Sequence, residues 1–174
     1  MSLDKYVRNG ESVDLSGEQV NKITNGKANI MSYGDLGGFN NIDMVFGNFH
    51  CLIVLYEIRK NFGHWVLLIR RSKLNEIEFF DPYGLDVDAE LNYNNNYYRD
   101  EGSHLKYLLK ISGYNIKVNK YQFQQYKEQV NTCGRHTALR CKMSHLSLEQ
   151  YKKFLFNNKE KTPDYWATCL TLFI

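Results

Sequence analysis

The stretch that decides the fold is Cys51–Phe80, CLIVLYEIRKNFGHWVLLIRRSKLNEIEFF, in which short polar turns separate three apolar runs. The runs Cys51–Ile58, His64–Arg71 and Glu76–Phe80 are rich in β-branched, aliphatic and aromatic residues, and this composition predicts buried strands. Connections this short join antiparallel strands, because parallel strands need a long crossover. The stretch is therefore predicted to form an antiparallel meander.

Helix signals lie on both sides of the meander. Capping-box patterns begin at Ser16 and Ser147, and Thr162 gives a cap that is followed by a proline. Apolar residues spaced for one face predict another helix over Glu101–Ser112, and alternation over Asn115–Gln125 predicts a fourth strand. The sequence thus predicts an α+β fold, with a small mixed or antiparallel central sheet flanked by helices.

Composition indicates one compact domain. The chain has 174 residues, of which 43% are hydrophobic, and no linker divides it, so we predict a single domain over residues 1–174 with residues 1–30 as a peripheral segment. Its net charge of +3 is too small to indicate nucleic-acid binding. Four irregularly spaced cysteines, no signal peptide and no apolar run of membrane-spanning length predict a reduced protein that is not secreted and contacts no membrane.

Cys133 lies where a loop is predicted to turn into a helix, within NTCGRHTALRC. Unpaired N–H groups and the partial positive charge of a helix N-terminus favour a thiolate over a thiol. Gly134 leaves one side of the sulfur without side-chain bulk. These features make Cys133 a candidate nucleophile, although a cysteine at this position can also be a small buried residue.

Two further residues complete a candidate catalytic group. His64 begins the second strand of the meander, and Asp81 follows the end of the third. If these strands are antiparallel neighbours, Asp81 lies beside His64, where a carboxylate would orient the imidazole and stabilise its cation. The structural alternatives are an aspartate that opens a turn before Pro82 and a histidine that only packs beside Trp65.

Such a site also needs donors for an oxyanion. The backbone amide of Cys133 is one candidate. The other candidates are side-chain amides upstream, and spacing does not choose among Gln122, Gln124, Gln125 and Gln129.

Cys133, His136, Cys141 and His145 also resemble a set of zinc ligands. On one helix, however, residues turn by about 100° each, so these side chains would spread around the axis over about 12 residues and could not converge on a tetrahedral ion. We therefore predict no metal and no cofactor.

Three motifs occur in the order Gly63-His64-Trp65, Phe79–Gly84 and Thr132–Gly134, with a glutamine before the last. This order resembles the adenovirus-protease and SUMO-protease superfamily of cysteine peptidases, whereas papain-like enzymes carry the cysteine before the histidine. Tyr33–Leu36 and Thr132–Arg135 are most similar to the maturation proteases of virophages, Maverick-type elements and large DNA viruses. The resemblance extends over residues 33–145 and implies an adenain-like cysteine peptidase fold.

The resemblance also implies roles for individual residues. His64 is then the general base, Asp81 the acid that orients it, and Cys133 the nucleophile. The oxyanion donor is Gln125, with Gln124 as the alternative, although relatives carry this glutamine at the positions of Tyr126 and Lys127, so Gln125 requires a longer loop. The substrate-binding residues are expected to be Trp65, which forms a wall of a narrow channel that admits glycine, together with Gly134 and Gln124.

These relatives cut precursors of capsid or core proteins after small residues, at Gly-Gly or Ala-Gly sites. The resemblance implies a monomeric thiol endopeptidase that processes capsid or other virion precursors, in the virion or the cytoplasm of an infected cell. Activation by DNA or a peptide, as in some adenovirus-type relatives, stays open. Two alternatives also stay open: a deconjugating protease for a ubiquitin-like modifier, and a non-catalytic binding module.

Overall fold

The structure is a computed structural model and describes residues 2–93 and 102–172. The strands are β1 (Ala28–Ser32), β2 (Cys51–Arg59), β3 (Phe62–Arg71), β4 (Glu76–Phe80) and β5 (Asn115–Val118). The α-helices are α1 (Leu3–Glu11), α2 (Gly17–Ile23), α3 (Ile42–Phe46), α4 (His104–Ile111), α5 (Cys133–Lys142), α6 (Leu148–Phe156) and α7 (Pro163–Thr171). Short 3₁₀ helices span Tyr33–Gly38, Ser72–Leu74 and Ala89–Asn92.

The strands form one mixed sheet in the order β1-β2-β3-β4-β5. Its centre is the predicted meander, because β3 pairs antiparallel with both β2 and β4. The outer strands β1 and β5 each add in parallel to their neighbours β2 and β4. The α+β class and the central sheet flanked by helices are therefore confirmed.

Helices cover both faces of the sheet, so the central strands are buried on both sides. Along β3, Trp65, Leu67 and Ile69 face a core shared with α2, α5, α6 and α7. Val66 and Leu68 face the other core, which α3 and α4 cover. Burial on both faces explains why the sequences of these strands are nearly continuous apolar runs.

Most of the predicted helix starts are confirmed. Ser16 and Ser147 each form a complete capping box, and Thr162 caps α7 with Pro163 at the first helical position. The helix predicted over Glu101–Ser112 corresponds to α4, although Glu101 lies outside the described residues.

The predicted fourth strand is too long. It ends at Val118, where the chain leaves the sheet and bonds to the turn after β4. The Asn119 side chain donates to the carbonyl of Asp81, and the N–H groups of Phe123 and Gln124 donate to the carbonyl of Pro82. Alternating polarity continues beyond Val118 because one side of this segment still packs inwards, although it is no longer a strand.

The segment predicted as peripheral contains more structure than its single predicted helix. It forms α1 and α2, and β1 begins within it. In α1 the only buried residues are Val7 and Gly10, so few of its side chains pack into the core. In β1 the polar Asn29 is satisfied because its side-chain amide donates to the carbonyl of Val45. Over residues 2–93 and 102–172, no helix combines the length and apolar character needed to cross a bilayer.

Candidate active site

His64 and Asp81 meet at one end of the sheet. Antiparallel pairing of β3 with β4 brings the first residues of one beside the residues that follow the other. Nε2 of His64 lies 2.9 Å from Oδ1 of Asp81, and both side chains are buried. The N–H of Tyr83 donates to the same oxygen at 2.7 Å. Asp81 therefore both stabilises the turn and holds the imidazole.

Cys133 is the first residue of α5, and its sulfur lies near enough to the His64 ring to raise the pKa of His64. Because Nε2 of His64 faces Asp81, Nδ1 is the ring nitrogen that remains for the sulfur. The structure thus places a carboxylate, an imidazole and a thiol next to one another in space, in that order. Cys133 is only 6% exposed, so little of the residue is open to solvent.

The charges around His64 favour its cationic form. Burial lowers the pKa of His64, but the nearby charge and hydrogen bond of Asp81, the hydrogen bond to Cys133 and the charge of Glu90 all raise it. The raising effects prevail, and the pKa of His64 lies well above its ordinary value. An imidazolium beside a sulfur is the arrangement that a thiolate nucleophile requires.

Sequence reasoning missed Glu90, which belongs to the 3₁₀ helix Ala89–Asn92. Its Oε1 lies 3.7 Å from Nε2 of His64, and its side chain is buried. Burial raises the pKa of Glu90, the nearby charge of His64 lowers it, and that of Asp81 raises it; the net shift is upwards. No motif marks Glu90, because a short irregular segment brings it to the site.

Among the described residues, one ligand atom each from His64, Asp81 and Glu90 lie within 4.8 Å of one another, so this group could hold a cation. Two of the four residues considered as zinc ligands have neighbours outside that set. Nε2 of His136 lies 3.0 Å from Oδ1 of Asp164, and the neighbouring thiol of Cys51 raises the pKa of Cys141.

Two tyrosines stack on the candidate base. The ring of Tyr83 lies parallel to that of His64 at a centroid distance of 4.8 Å, and Tyr126 stacks on Tyr83 at 4.2 Å. Burial and the nearby charge of Cys133 raise the pKa of Tyr83. Tyr126 is 64% exposed, so the stack runs from His64 to the surface. Tyr126 occupies one of the positions at which the resemblance would place a glutamine.

The two candidate glutamines differ in their surroundings. Gln124 is buried, and its side-chain N–H donates to the carbonyl of Val130 at 3.0 Å. The side chain of Gln125 is exposed, and its backbone N–H donates to Asp164. The amide of Gln124 thus supports the loop before Cys133, and the choice between Gln125 and Gln124 as oxyanion donor stays a prediction.

Trp65 lies in the core beneath the site. Its indole N–H donates to the carbonyl of Leu15 at 2.9 Å, and 5% of the residue is exposed. A Cβ added to Gly134 would lie 3.1 Å from both Trp65 and Leu15. Gly134 therefore allows α5 to pack closely on Trp65, and the role of these two residues in a substrate channel stays a prediction.

The fold and the site together define an α+β protein with a buried cysteine–histidine–aspartate group at one end of a mixed sheet. Over 97% of its length, the chain is 32% identical to an uncharacterized protein, V9, of the Sputnik virophage, and the match covers 99% of that relative. The chain belongs to the family of this virophage protein and is a viral protein. No protein-family model matches it.

Proposed function

We propose that the chain is a cysteine endopeptidase with an adenain-like fold, which processes viral capsid or other structural precursors after small residues, at sites of the Gly-Gly or Ala-Gly type. The observation that carries this proposal is the line of contacts from Asp81 through His64 to Cys133. Membership of a virophage protein family supports a viral substrate. The three residues meet at one end of the sheet, where β3, the turn after β4 and the start of α5 come together.

In the proposed reaction, His64 takes the proton of Cys133 and the thiolate attacks the carbonyl carbon of the scissile peptide. Negative charge develops on the carbonyl oxygen, where the N–H of Cys133 and the side-chain amide of Gln125 would donate hydrogen bonds. The imidazolium of His64 then gives its proton to the leaving amine, and a thioester remains. A water molecule, deprotonated by His64, hydrolyses this acyl-enzyme and restores the thiol.

Asp81 and the aromatic stack have supporting roles in this mechanism. Asp81 keeps Nε2 of His64 oriented, so that Nδ1 faces the sulfur. Tyr83 stacks on one face of the imidazole and so restricts its movement on that side. Because Cys133 and His64 are nearly buried, a substrate with small residues beside the scissile bond fits the narrow approach best.

The experiment is cleavage of a Gly-Gly-containing capsid precursor by the wild-type chain and by Cys133→Ala. We expect cleavage by the wild type and none by Cys133→Ala. Cys169→Ala is the matched control, because Cys169 is a partly exposed cysteine on α7 and should leave cleavage unchanged. Equal cleavage by wild type and Cys133→Ala would contradict the proposal.

The same variants separate the two alternative functions. A deconjugating protease would react through Cys133 with an electrophile-tagged ubiquitin-like protein and would leave capsid precursors intact. A non-catalytic binding module would alkylate at Cys133 no faster than a free thiol at neutral pH. Peptide mapping must assign the alkylated residue, because Cys169 is more exposed than Cys133.

A further inference from the structure

Asp164 is a buried carboxylate on α7 that the proposed mechanism does not use. Only 1% of the residue is exposed, and its carboxylate contacts three residues on two segments of the chain. Oδ1 accepts from the hydroxyl of Thr132 and lies 3.0 Å from Nε2 of His136. Oδ2 accepts from the backbone N–H of Gln125 at 3.0 Å. An aspartate in the first turn of a helix is usually exposed and interacts with the helix dipole, so this burial needs another explanation.

The three donors share one property, which is their position around the candidate nucleophile. Thr132 directly precedes Cys133, and His136 lies one turn into the helix that Cys133 begins. Gln125 stands at the other end of the loop that leads to Cys133. Asp164 does not cap its own helix, because the Thr162 hydroxyl accepts from the N–H of Tyr165. Its carboxylate is therefore available to join the two ends of the loop.

Both proposed oxyanion donors are attached to these ends. The N–H of Cys133 follows Thr132, and the side chain of Gln125 leaves the backbone that Asp164 holds. Two donors act on one oxygen only if their separation is fixed to within a fraction of an ångström. A single charged acceptor shared by both segments fixes that separation, because hydrogen bonds to an ionised group are short and strong.

We propose that Asp164 is a positioning residue that holds the Cys133 amide and Gln125 at the separation that an oxyanion requires. The inference rests on the proposed peptidase function. Over residues 2–93 and 102–172, Asp164 has no hydrogen bond with His64 or with the Cys133 sulfur, so it acts on the position of the oxyanion donors and not on the pairing of His64 with the sulfur. This division predicts that turnover and thiol reactivity respond differently to a change at Asp164.

The test is Asp164→Asn, measured by peptide cleavage and by alkylation of Cys133 with a small neutral reagent. The asparagine Oδ1 still accepts from Thr132 and His136, but its Nδ2 is a donor and cannot accept from Gln125. We expect kcat to fall by about 10²-fold, KM to change little, and the alkylation rate to match the wild type. Asp4→Asn is the matched control, because Asp4 also contacts α7, through Tyr165, and lies outside this network.

Thr132→Val and Thr132→Ser form a second pair in case Asp164→Asn fails to fold. Valine keeps the shape of threonine but loses the hydroxyl, and serine restores it, so kcat should fall with Val and recover with Ser. An unchanged kcat in Asp164→Asn or Thr132→Val, or a fall in alkylation equal to the fall in kcat, would overturn the positioning role. Absence of cleavage by the wild type would instead refute the proposed function, and this inference with it.

Discussion

At the scale of single residues, the site depends on how His64 holds a proton while it is almost completely buried. Burial alone would leave a neutral ring, which cannot stabilise a thiolate. Asp81 and Glu90 both lie within 4 Å of Nε2 and reverse this preference. Two carboxylates therefore act on one ring nitrogen, and the other nitrogen remains for Cys133.

Changing Asp81 to asparagine should lower turnover and leave the fold intact. The asparagine oxygen can still accept from the N–H of Tyr83, so the turn survives. The imidazolium loses its negative partner, and kcat/KM should fall by about 10²-fold, less than the roughly 10⁴-fold cost in serine-protease triads, because a thiol ionises more readily than a hydroxyl. Peptide cleavage measures the effect, with the exposed Asp86→Asn as control. A loss below threefold would show that Glu90 can replace Asp81.

The raised pKa of His64 makes a second prediction, about stability and pH. The pKa of the folded state lies above the unfolded value of about 6.5. The contribution of His64 to the free energy of unfolding is therefore complete below that value, and it is lost as the pH rises through the folded-state pKa. Urea unfolding of Cys133→Ala with and without His64→Gln should give a larger difference in unfolding free energy at pH 6 than at pH 9. A larger difference at pH 9 would contradict the direction of the shift.

At the scale of secondary-structure elements, α5 is placed by close contact with the sheet and not by an apolar face of its own. Residues Cys133–Cys141 are all buried, including Arg135, His136 and Arg140. A helix that is buried all round but carries charged residues needs a partner for each charge. Asp164 and Glu78 supply two of these partners, so the position of the nucleophile depends on residues far away along the chain.

Gly134→Ala tests the close packing of α5. An added methyl group would lie 3.1 Å from both the Leu15 Cβ and the Trp65 ring, and neither neighbour is the end of a flexible side chain. Overpacking costs about 1–3 kcal/mol, and the higher helix propensity of alanine returns up to about 1 kcal/mol. We expect the free energy of unfolding, measured in urea, to fall by about 1 kcal/mol. We expect turnover to fall by a larger fraction of its wild-type value. Gly37→Ala, where nothing lies within 4 Å, should be neutral.

The elements that could be predicted from the sequence are those whose signals are local. Buried strands show as apolar runs, and Ser16, Ser147 and Thr162 mark helix starts by their own hydrogen bonds. The pairing of His64 with Asp81 followed from the short turn between β3 and β4. Glu90 and Asp164 could not be predicted, because their roles arise from long-range packing that leaves no periodic pattern in the sequence.

At the scale of the whole molecule, one buried ion pair joins the sheet to the helix that begins with Cys133. Arg140 on α5 donates to both oxygens of Glu78 on β4 at 2.9 Å, and Arg71 donates to the same carboxylate at 3.0 Å. Arg140 also donates to the carbonyls of Met143 and Leu146, so it holds the chain beyond α5 as well. Cys133, whose sulfur lies beside His64, is at the N-terminal end of the same helix.

Glu78→Gln should therefore destabilise the whole fold and not only its edge. The substitution removes the negative charge and leaves the buried Arg140 with neutral acceptors alone, and breaking a buried pair in this way costs about 3–5 kcal/mol. Urea unfolding measures this cost. Because the ion pair connects the sheet to α5, tryptophan fluorescence and alkylation of Cys133 should change at the same urea concentration. Lys117→Gln is the control: Lys117 is mostly exposed and pairs with Glu76, so its loss should cost less than about 1 kcal/mol. If the cost for Glu78→Gln were as small as that of the control, the sheet and α5 would be held together by apolar packing alone.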